Sequence, residues 1–127
     1  MKKVVLSICA LKAMNFLLET VIAPRHAIFI VHNAIQGMHA LRHKTKVDVV
    51  IVDLDYDTQE NLDFISHIKS SRLYSECRVI VLSSRVDSFI NQPEIQMVDH
   101  IFSKPFSPEH VIAYINNFSK QDTTIAV

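Results

Sequence analysis

Apolar residues along this chain fall in short β-branched runs that alternate with stretches of helical spacing. Lys3-Val4-Val5-Leu6-Ser7-Ile8 has strand length, and from about Ala10 to Ile22 the positions Leu11, Met14, Leu17, Leu18 and Ile22 repeat with a helical period. Pro24 closes that helix. Ala27 to Val31 is branched and aromatic, as strands prefer, and Asn33 offers a cap to a second helix with Ile35, Met38 and Leu41 on one side. Arg42, His43, Lys44 and Lys46 fall at its end, where cations suit the helix dipole. Val47 to Asp53 is almost continuously apolar, the pattern of a strand buried on both faces of a parallel sheet. A polar loop, Asp55 to Asn61, leads to a third helix marked by Leu62, Phe64, Ile65 and Ile68, and Arg78 to Ser84 forms the fourth strand. From Arg85 to Met97 the pattern is weak and contains Pro93, which predicts a short or irregular helix. His100 to Ser103 is the fifth strand. Lys104-Pro105-Phe106-Ser107-Pro108-Glu109 turns into a last helix with Ser107 as cap, Pro108 in the first position, and a stripe of Val111, Ile112, Ile115 and Phe118.

Five strands alternating with five helices predict an α/β fold: a flavodoxin-like (βα)5 three-layer sandwich with parallel strand order 2-1-3-4-5. In such sheets the working site lies at the carboxyl ends of the strands beside the topological switch, which brings Ser7, Ile8, Asp53, Ser83 and Lys104 together. The domain is expected over residues 1–120, with 121–127 as a flexible C-terminal tail. An apolar fraction of 49% and a charged fraction of 20% suffice for a core and exclude a disordered chain. Thirteen basic residues balance thirteen acidic ones, so no global field draws the chain to nucleic acid or to an anionic membrane. The two cysteines, Cys9 and Cys77, lack metal-ligand spacing and read as reduced, buried thiols. Without an apolar stretch of membrane-spanning length, the cytoplasm is the expected compartment.

The residues converging at the strand ends are those of a phosphoryl acceptor. The Asp53 carboxylate is a nucleophile able to form an aspartyl phosphate. The Ser83 hydroxyl can donate to a phosphoryl oxygen, and Lys104 supplies positive charge to the same oxygens, aimed by a Lys-Pro bond that is a candidate for the cis form. A divalent cation would neutralise the developing charge.

These residues resemble the receiver domains of bacterial response regulators (the CheY-like family) over about Lys2 to Phe118. Asp48-Val49-Val50-Ile51-Val52-Asp53 is similar to the family's central strand ending in the phospho-acceptor, Ile80-Val81-Leu82-Ser83-Ser84 to the strand ending in Thr or Ser, and Lys104-Pro105-Phe106 to its Lys-Pro-Phe signature. Gly37-Met38-His39-Ala40-Leu41 resembles its second helix. The resemblance implies a non-enzymatic module of a two-component phosphorelay: a histidine kinase or phosphotransfer protein phosphorylates Asp53, and a downstream protein reads the rearranged face of the fourth helix, fifth strand and fifth helix. That face often carries dimers in the family, so a homodimer is a further expectation. The chain departs from the family in three ways. The acidic pair that holds Mg²⁺ at the end of the first strand corresponds to Ser7 and Ile8, leaving Asp53 and Asp55, with Asp57 nearby, as a weaker metal site. The aromatic switch position is Ile101, with Phe102 on the opposite face of its strand. A loop Pro and a Gly are replaced by Asp57 and Asn61, of which Asn61 tolerates positive φ.

Plainer roles compete for several residues. Lys104 neutralises Asp53 with no phosphate involved, and Asp55 and Asp57 are solvated loop residues. His39 and His43 share a helix face, but a metal pair needs a third ligand. Cys9, near the pocket, has the place of a redox sensor, but a small buried hydrophobe is its plainer role. Three functions follow: a phospho-accepting receiver, a degenerate pseudo-receiver acting by protein contact, and a flavin or small-molecule binder on the same fold. The single glycine argues against the last, because no glycine-rich phosphate loop can be built. An output module beyond the chain's end is compatible with the first two.

Overall fold

A computed structural model of the chain describes residues 2–43 and 46–118. The expected tail and Lys44 lie outside the described residues. The elements run β1 (Val4–Ile8), α1 (Lys12–Ile22), β2 (Ala27–Val31), α2 (Ala34–His43), β3 (Val49–Asp53), α3 (Thr58–Ser70), β4 (Arg78–Ser83), α4 (Val86–Phe89), α5 (Pro93–Gln96), β5 (His100–Ser103) and α6 (Pro108–Asn117). All strands are parallel in the order β2-β1-β3-β4-β5, the predicted doubly wound topology.

Alternation along the central strands divides the core into two layers. Val50 and Val52 of β3 with Val79 and Val81 of β4 pack beneath Leu41, Leu62, Phe64, Ile65 and Ile68 of α2 and α3, and α4 and α5 add Phe89 and Ile95. Val49 and Ile51 with Ile80 and Leu82 pack on the other face against Leu18 and Ile22 of α1 and Val111 and Ile115 of α6. All five residues of β3 are buried, as its composition predicts.

The structure corrects several local expectations. The weakly patterned stretch resolves into two single turns, α4 and α5, so the described residues form six α-helices rather than five, besides a 3-10 turn at Arg72–Tyr74. Asn33 does cap α2, its Oδ1 accepting from the Gln36 amide at 2.9 Å, whereas Ser107 makes no side-chain cap on α6 although Pro108 opens that helix. The buried side of α2 is Ala34, Gly37, Ala40 and Leu41. Of the expected stripe, Leu41 is buried and Met38 packs against the core, but Ile35 is 83% exposed, because α2 lies on the sheet through the small residues Ala34, Gly37 and Ala40. Positive φ falls on Asp57 (49°) and not on Asn61, which sits buried in the first turn of α3.

Gly37 is the point of closest approach: a Cβ there would stand 2.6 Å from Ile8 Cδ1 and 3.3 Å from the Phe64 ring. Gly37→Ala gains up to about 1 kcal/mol of helix propensity and loses about 1–3 kcal/mol to overpacking. Net destabilisation is therefore expected in a urea titration. Ile8→Val, which deletes the clashing methyl, should recover part of it in the double variant, and an unchanged or raised midpoint for Gly37→Ala alone would contradict this packing.

At the opposite end of the sheet from the candidate site, His26 is buried and accepts from the Lys3 amide through Nδ1 at 2.9 Å, which leaves Nε2 to donate to Asn116 Oδ1 at 2.6 Å. Lys3 Nζ donates to the Ile115 carbonyl at 2.6 Å. Lys3, just before β1, and His26, just before β2, thus tie down the C-terminal end of α6, whose last carbonyls have no partners inside the helix.

Candidate functional site

The parallel register carries three strand ends to one opening. Asp53 is the last residue of β3, opposite Leu82, and Ser83 ends β4 opposite Ser103. The Lys104 amide then donates to the Ser83 carbonyl at 2.9 Å, which brings the turn after β5 beside the end of β4. The Lys104–Pro105 bond is cis.

Asp53 is buried, its side chain 0% exposed, and each of its oxygens is engaged. Oδ1 accepts from the Asp55 amide at 2.9 Å; Oδ2 accepts from Lys104 Nζ at 2.7 Å and from the Cys9 thiol at 3.2 Å. Asn61 holds the loop that follows, its Nδ2 donating to the carbonyls of Asp53 (3.0 Å) and Tyr56 (2.9 Å). Thr58 Oγ1 donates to the Leu54 carbonyl at 2.7 Å. These bonds, with the left-handed backbone of Asp57, fold the loop back so that Asp55 turns into the opening.

Asp55 is the residue whose weight the sequence does not reveal. Its Oδ1 accepts from the Ser83 hydroxyl and the Ser84 amide, each at 3.0 Å. Its Oδ2 takes the Ser84 amide at 3.1 Å and lies 3.0 Å from Lys104 Nζ. Only 14% of its side chain is exposed, so it is not the solvated loop carboxylate that base rates suggest. Ser83 Oγ also accepts from the Arg85 amide at 2.9 Å, which fixes its proton toward Asp55.

The end of β1 also differs from expectation. Ser7 and Ile8 are buried in the sheet, opposite Ile51 and Val52, and neither is hydrogen-bonded to Asp53. Ile8 packs in the layer under α2 and α3. The residue that reaches Asp53 is Cys9, one position beyond the strand, held by Asn15 Nδ2 on its carbonyl at 3.1 Å. Burial pushes the Cys9 thiol up to about 12, opposed by a bond from the Leu11 amide and reinforced by the neighbouring Asp53 charge. It is a protonated donor to Asp53, not a nucleophile. The sequence places Cys9 near the pocket, and the structure adds its bond to Asp53.

Ile101 is half-buried and packs on the α3 side of the sheet, while Phe102 lies on the other face, with its ring centroid 6.0 Å from that of Phe106 and 6.5 Å from that of Tyr114. His39 and His43 stand side by side on α2, ring centroids 4.3 Å apart. Among the described residues no group of three His, Cys, Asp or Glu is placed to hold a metal ion.

Two carboxylates therefore share one ammonium, and the trio carries a net single negative charge. Burial alone would raise Asp55, but Lys104, the Ser84 amide and the Ser83 hydroxyl outweigh it and hold the carboxyl below its ordinary 3.8. Burial would likewise lower Lys104, and its bonds to Asp53 and Asp55 instead raise it above 10.5. A depressed carboxylate contributes stability above its unfolded value and loses it as pH falls through the folded one; a raised lysine contributes below its unfolded value and loses it as pH rises through the folded one. Stability from this trio is thus complete across neutral pH. Below about pH 4 the acid limb of a stability–pH profile should be steeper for the native protein than for Asp55→Ala. Parallel acid limbs would contradict the pairing.

For Mg²⁺, which prefers hard oxygens, the site offers the carboxylates of Asp53 and Asp55 but a thiol at the end of β1, and both carboxylates already bind Lys104. A cation would compete with that ammonium, so the site is weakened for Mg²⁺.

No protein-family model and no curated protein matches the chain. Solved structures do. The chain is similar to a response regulator from Thermotoga maritima, with TM-score 0.77 at 19% identity over 91% of this chain and 96% of that one. A chemotaxis response regulator of Vibrio cholerae gives TM-score 0.78 at 13% identity, over 91% and 98%. The receiver domain of a sensor histidine kinase from Pseudomonas aeruginosa, with a magnesium ion coordinated in its active-site cleft, gives TM-score 0.79 at 12% identity, over 91% and 96%. At these identities the likeness is one of fold: the chain has the α/β fold of response-regulator receiver domains.

Proposed function

We propose, from the receiver fold as premise, that this chain is a receiver module of two-component signal transduction in which Asp53 accepts a phosphoryl group and a change in protein contacts carries the output. The observation that supports this most is the Lys104 ammonium 2.7 Å from Asp53 Oδ2, with the Ser83 hydroxyl and Ser84 amide facing the same opening. In the transfer, a carboxylate oxygen of Asp53 attacks phosphorus, and the bond to the donor breaks with its electron pair leaving on the donor atom. Lys104, Ser83 and Ser84 stabilise charge on the phosphoryl oxygens, and Asn61 holds the Asp53 loop in place. Mg²⁺, when bound, would supply further charge neutralisation.

The donor is a histidine kinase or phosphotransfer protein, and the reader is a downstream protein rather than nucleic acid. The module is read as a cytoplasmic signalling domain and not an enzyme; no described helix is long and apolar enough to cross a membrane. A flavin-binding role has no support in the sequence, since Gly37, its one glycine, lies inside α2.

Intact-mass measurement after incubation with acetyl phosphate and Mg²⁺ tests the proposal. Slow gain of one phosphoryl group is expected, abolished in Asp53→Asn. No gain, with a conventional receiver labelled in parallel, would overturn phospho-acceptance and leave a pseudo-receiver acting by protein contact alone.

A further inference from the structure

We infer that the oxyanion seat beside Asp53 is occupied by the chain's own Asp55, so that an intramolecular carboxylate makes the contacts a phosphoryl group would make. Calling the seat a phosphoryl seat rests on the receiver reading; its occupation by Asp55 rests on the geometry alone.

The contacts are long-range. An aspartate in a turn ordinarily binds amides a few residues away. Asp55 instead reaches the hydroxyl of Ser83 and the amide of Ser84, 28 and 29 residues on, and the ammonium of Lys104 on a third strand end. The donors are a hydroxyl, a backbone N–H and an ammonium, a set that complements an oxyanion, and both Asp55 oxygens are used. The strand ends that a bound phosphoryl group would draw together are already drawn together.

Charge points the same way. With Asp53, Asp55 and Lys104 the opening carries one net negative charge, which repels an incoming phosphate. Without Asp55 the balance is zero, and the Ser83 hydroxyl, Ser84 amide and part of the Lys104 ammonium are left without an acceptor. Asp55 therefore acts as a resident competitor: external phosphate binds only in the fraction of molecules whose loop has swung out, and its apparent affinity falls by that fraction. The loop Asp55–Asp57 becomes the regulated element, and any partner that draws Asp55 outward would open the site.

Titration of ¹⁵N-labelled protein with orthophosphate, read at the Ser84 amide, tests this without any covalent step. The native protein should show no saturable shift, or one with a half-saturation concentration at least about tenfold above that of Asp55→Ala. Asp55→Ala/Ser83→Ala should lose most of the gain, which locates the phosphate in this seat. Asp55→Ala that is folded by the rest of its spectrum yet binds no better than the native protein would overturn the inference. Failure of acetyl phosphate to label either protein, with phosphate still bound by Asp55→Ala, would remove phosphoryl transfer but not the occupied seat.

Discussion

Lys104→Ala is expected to destabilise the fold by about 3–5 kcal/mol, the cost of removing one partner from a buried ion pair. The lysine side chain is 14% exposed and Asp53 is fully buried, so truncation leaves two carboxylates without the ammonium they share. The pair of Lys46 with Glu76, 3.7 Å apart with side chains 51% and 66% exposed, provides the contrast: Lys46→Ala should cost about 1 kcal/mol or less. The mechanism is also checkable through coupling. If the loss comes from stranded charge rather than from lost packing of the lysine stem, Asp53→Asn in the Lys104→Ala background removes one stranded charge and should restore part of the stability. Urea midpoints for the two singles and the double decide it. Equal costs for Lys104→Ala and Lys46→Ala, or a double variant no more stable than Lys104→Ala, would contradict the electrostatic account.

The residues that define the sheet are legible in the sequence because burial on two faces leaves little choice of composition: Val49 to Asp53 and Val79 to Ser83 are recognisable as central strands. Local periodicity was less informative where side-chain size decided the outcome. In α2 the larger residue Ile35 suggests the inner face with Met38 and Leu41, yet it is exposed and the helix approaches the sheet through Ala34, Gly37 and Ala40, a choice that depends on Ile8 across the interface. No helical period contains that information.

The site divides in the same way. Asp53, Ser83 and Lys104 are found from strand ends and topology, because each ends or follows a strand whose position in the sheet is fixed. Cys9 and Asp55 lie one and two residues beyond strand ends, where the path of a loop determines direction. For Asp55 a signal was present: positions two apart in extended chain point to the same side, which would have placed the carboxylates of Asp53 and Asp55 together. What cancels that signal from sequence alone is the usual solvation of loop carboxylates; what overrides it in the fold is Asn61 gripping the carbonyls of Asp53 and Tyr56. The left-handed residue is Asp57, which precedes α3, and not Asn61, which lies within that helix.

A resident Asp55 also sets the expected chemistry. In the proposed function, phosphoryl transfer to Asp53 requires the donor's phosphoryl oxygens to reach Ser83, Ser84 and Lys104, and Asp55 must vacate them first. If the vacated state makes up no more than about one molecule in ten, removing the competitor raises the labelling rate at least about tenfold, equivalent to about 1.4 kcal/mol. Asn at position 55 retains an acceptor oxygen without the charge and should fall between the native protein and Asp55→Ala.

The most direct test is therefore the initial rate of phosphoryl incorporation from acetyl phosphate, followed by intact mass, in the native protein, Asp55→Ala, Asp53→Asn and Asp53→Asn/Asp55→Ala. The account predicts a slow rate in the native protein, a rate at least about tenfold higher in Asp55→Ala, and none in either variant lacking Asp53. Equal rates with and without Asp55, or label that survives Asp53→Asn, would contradict it.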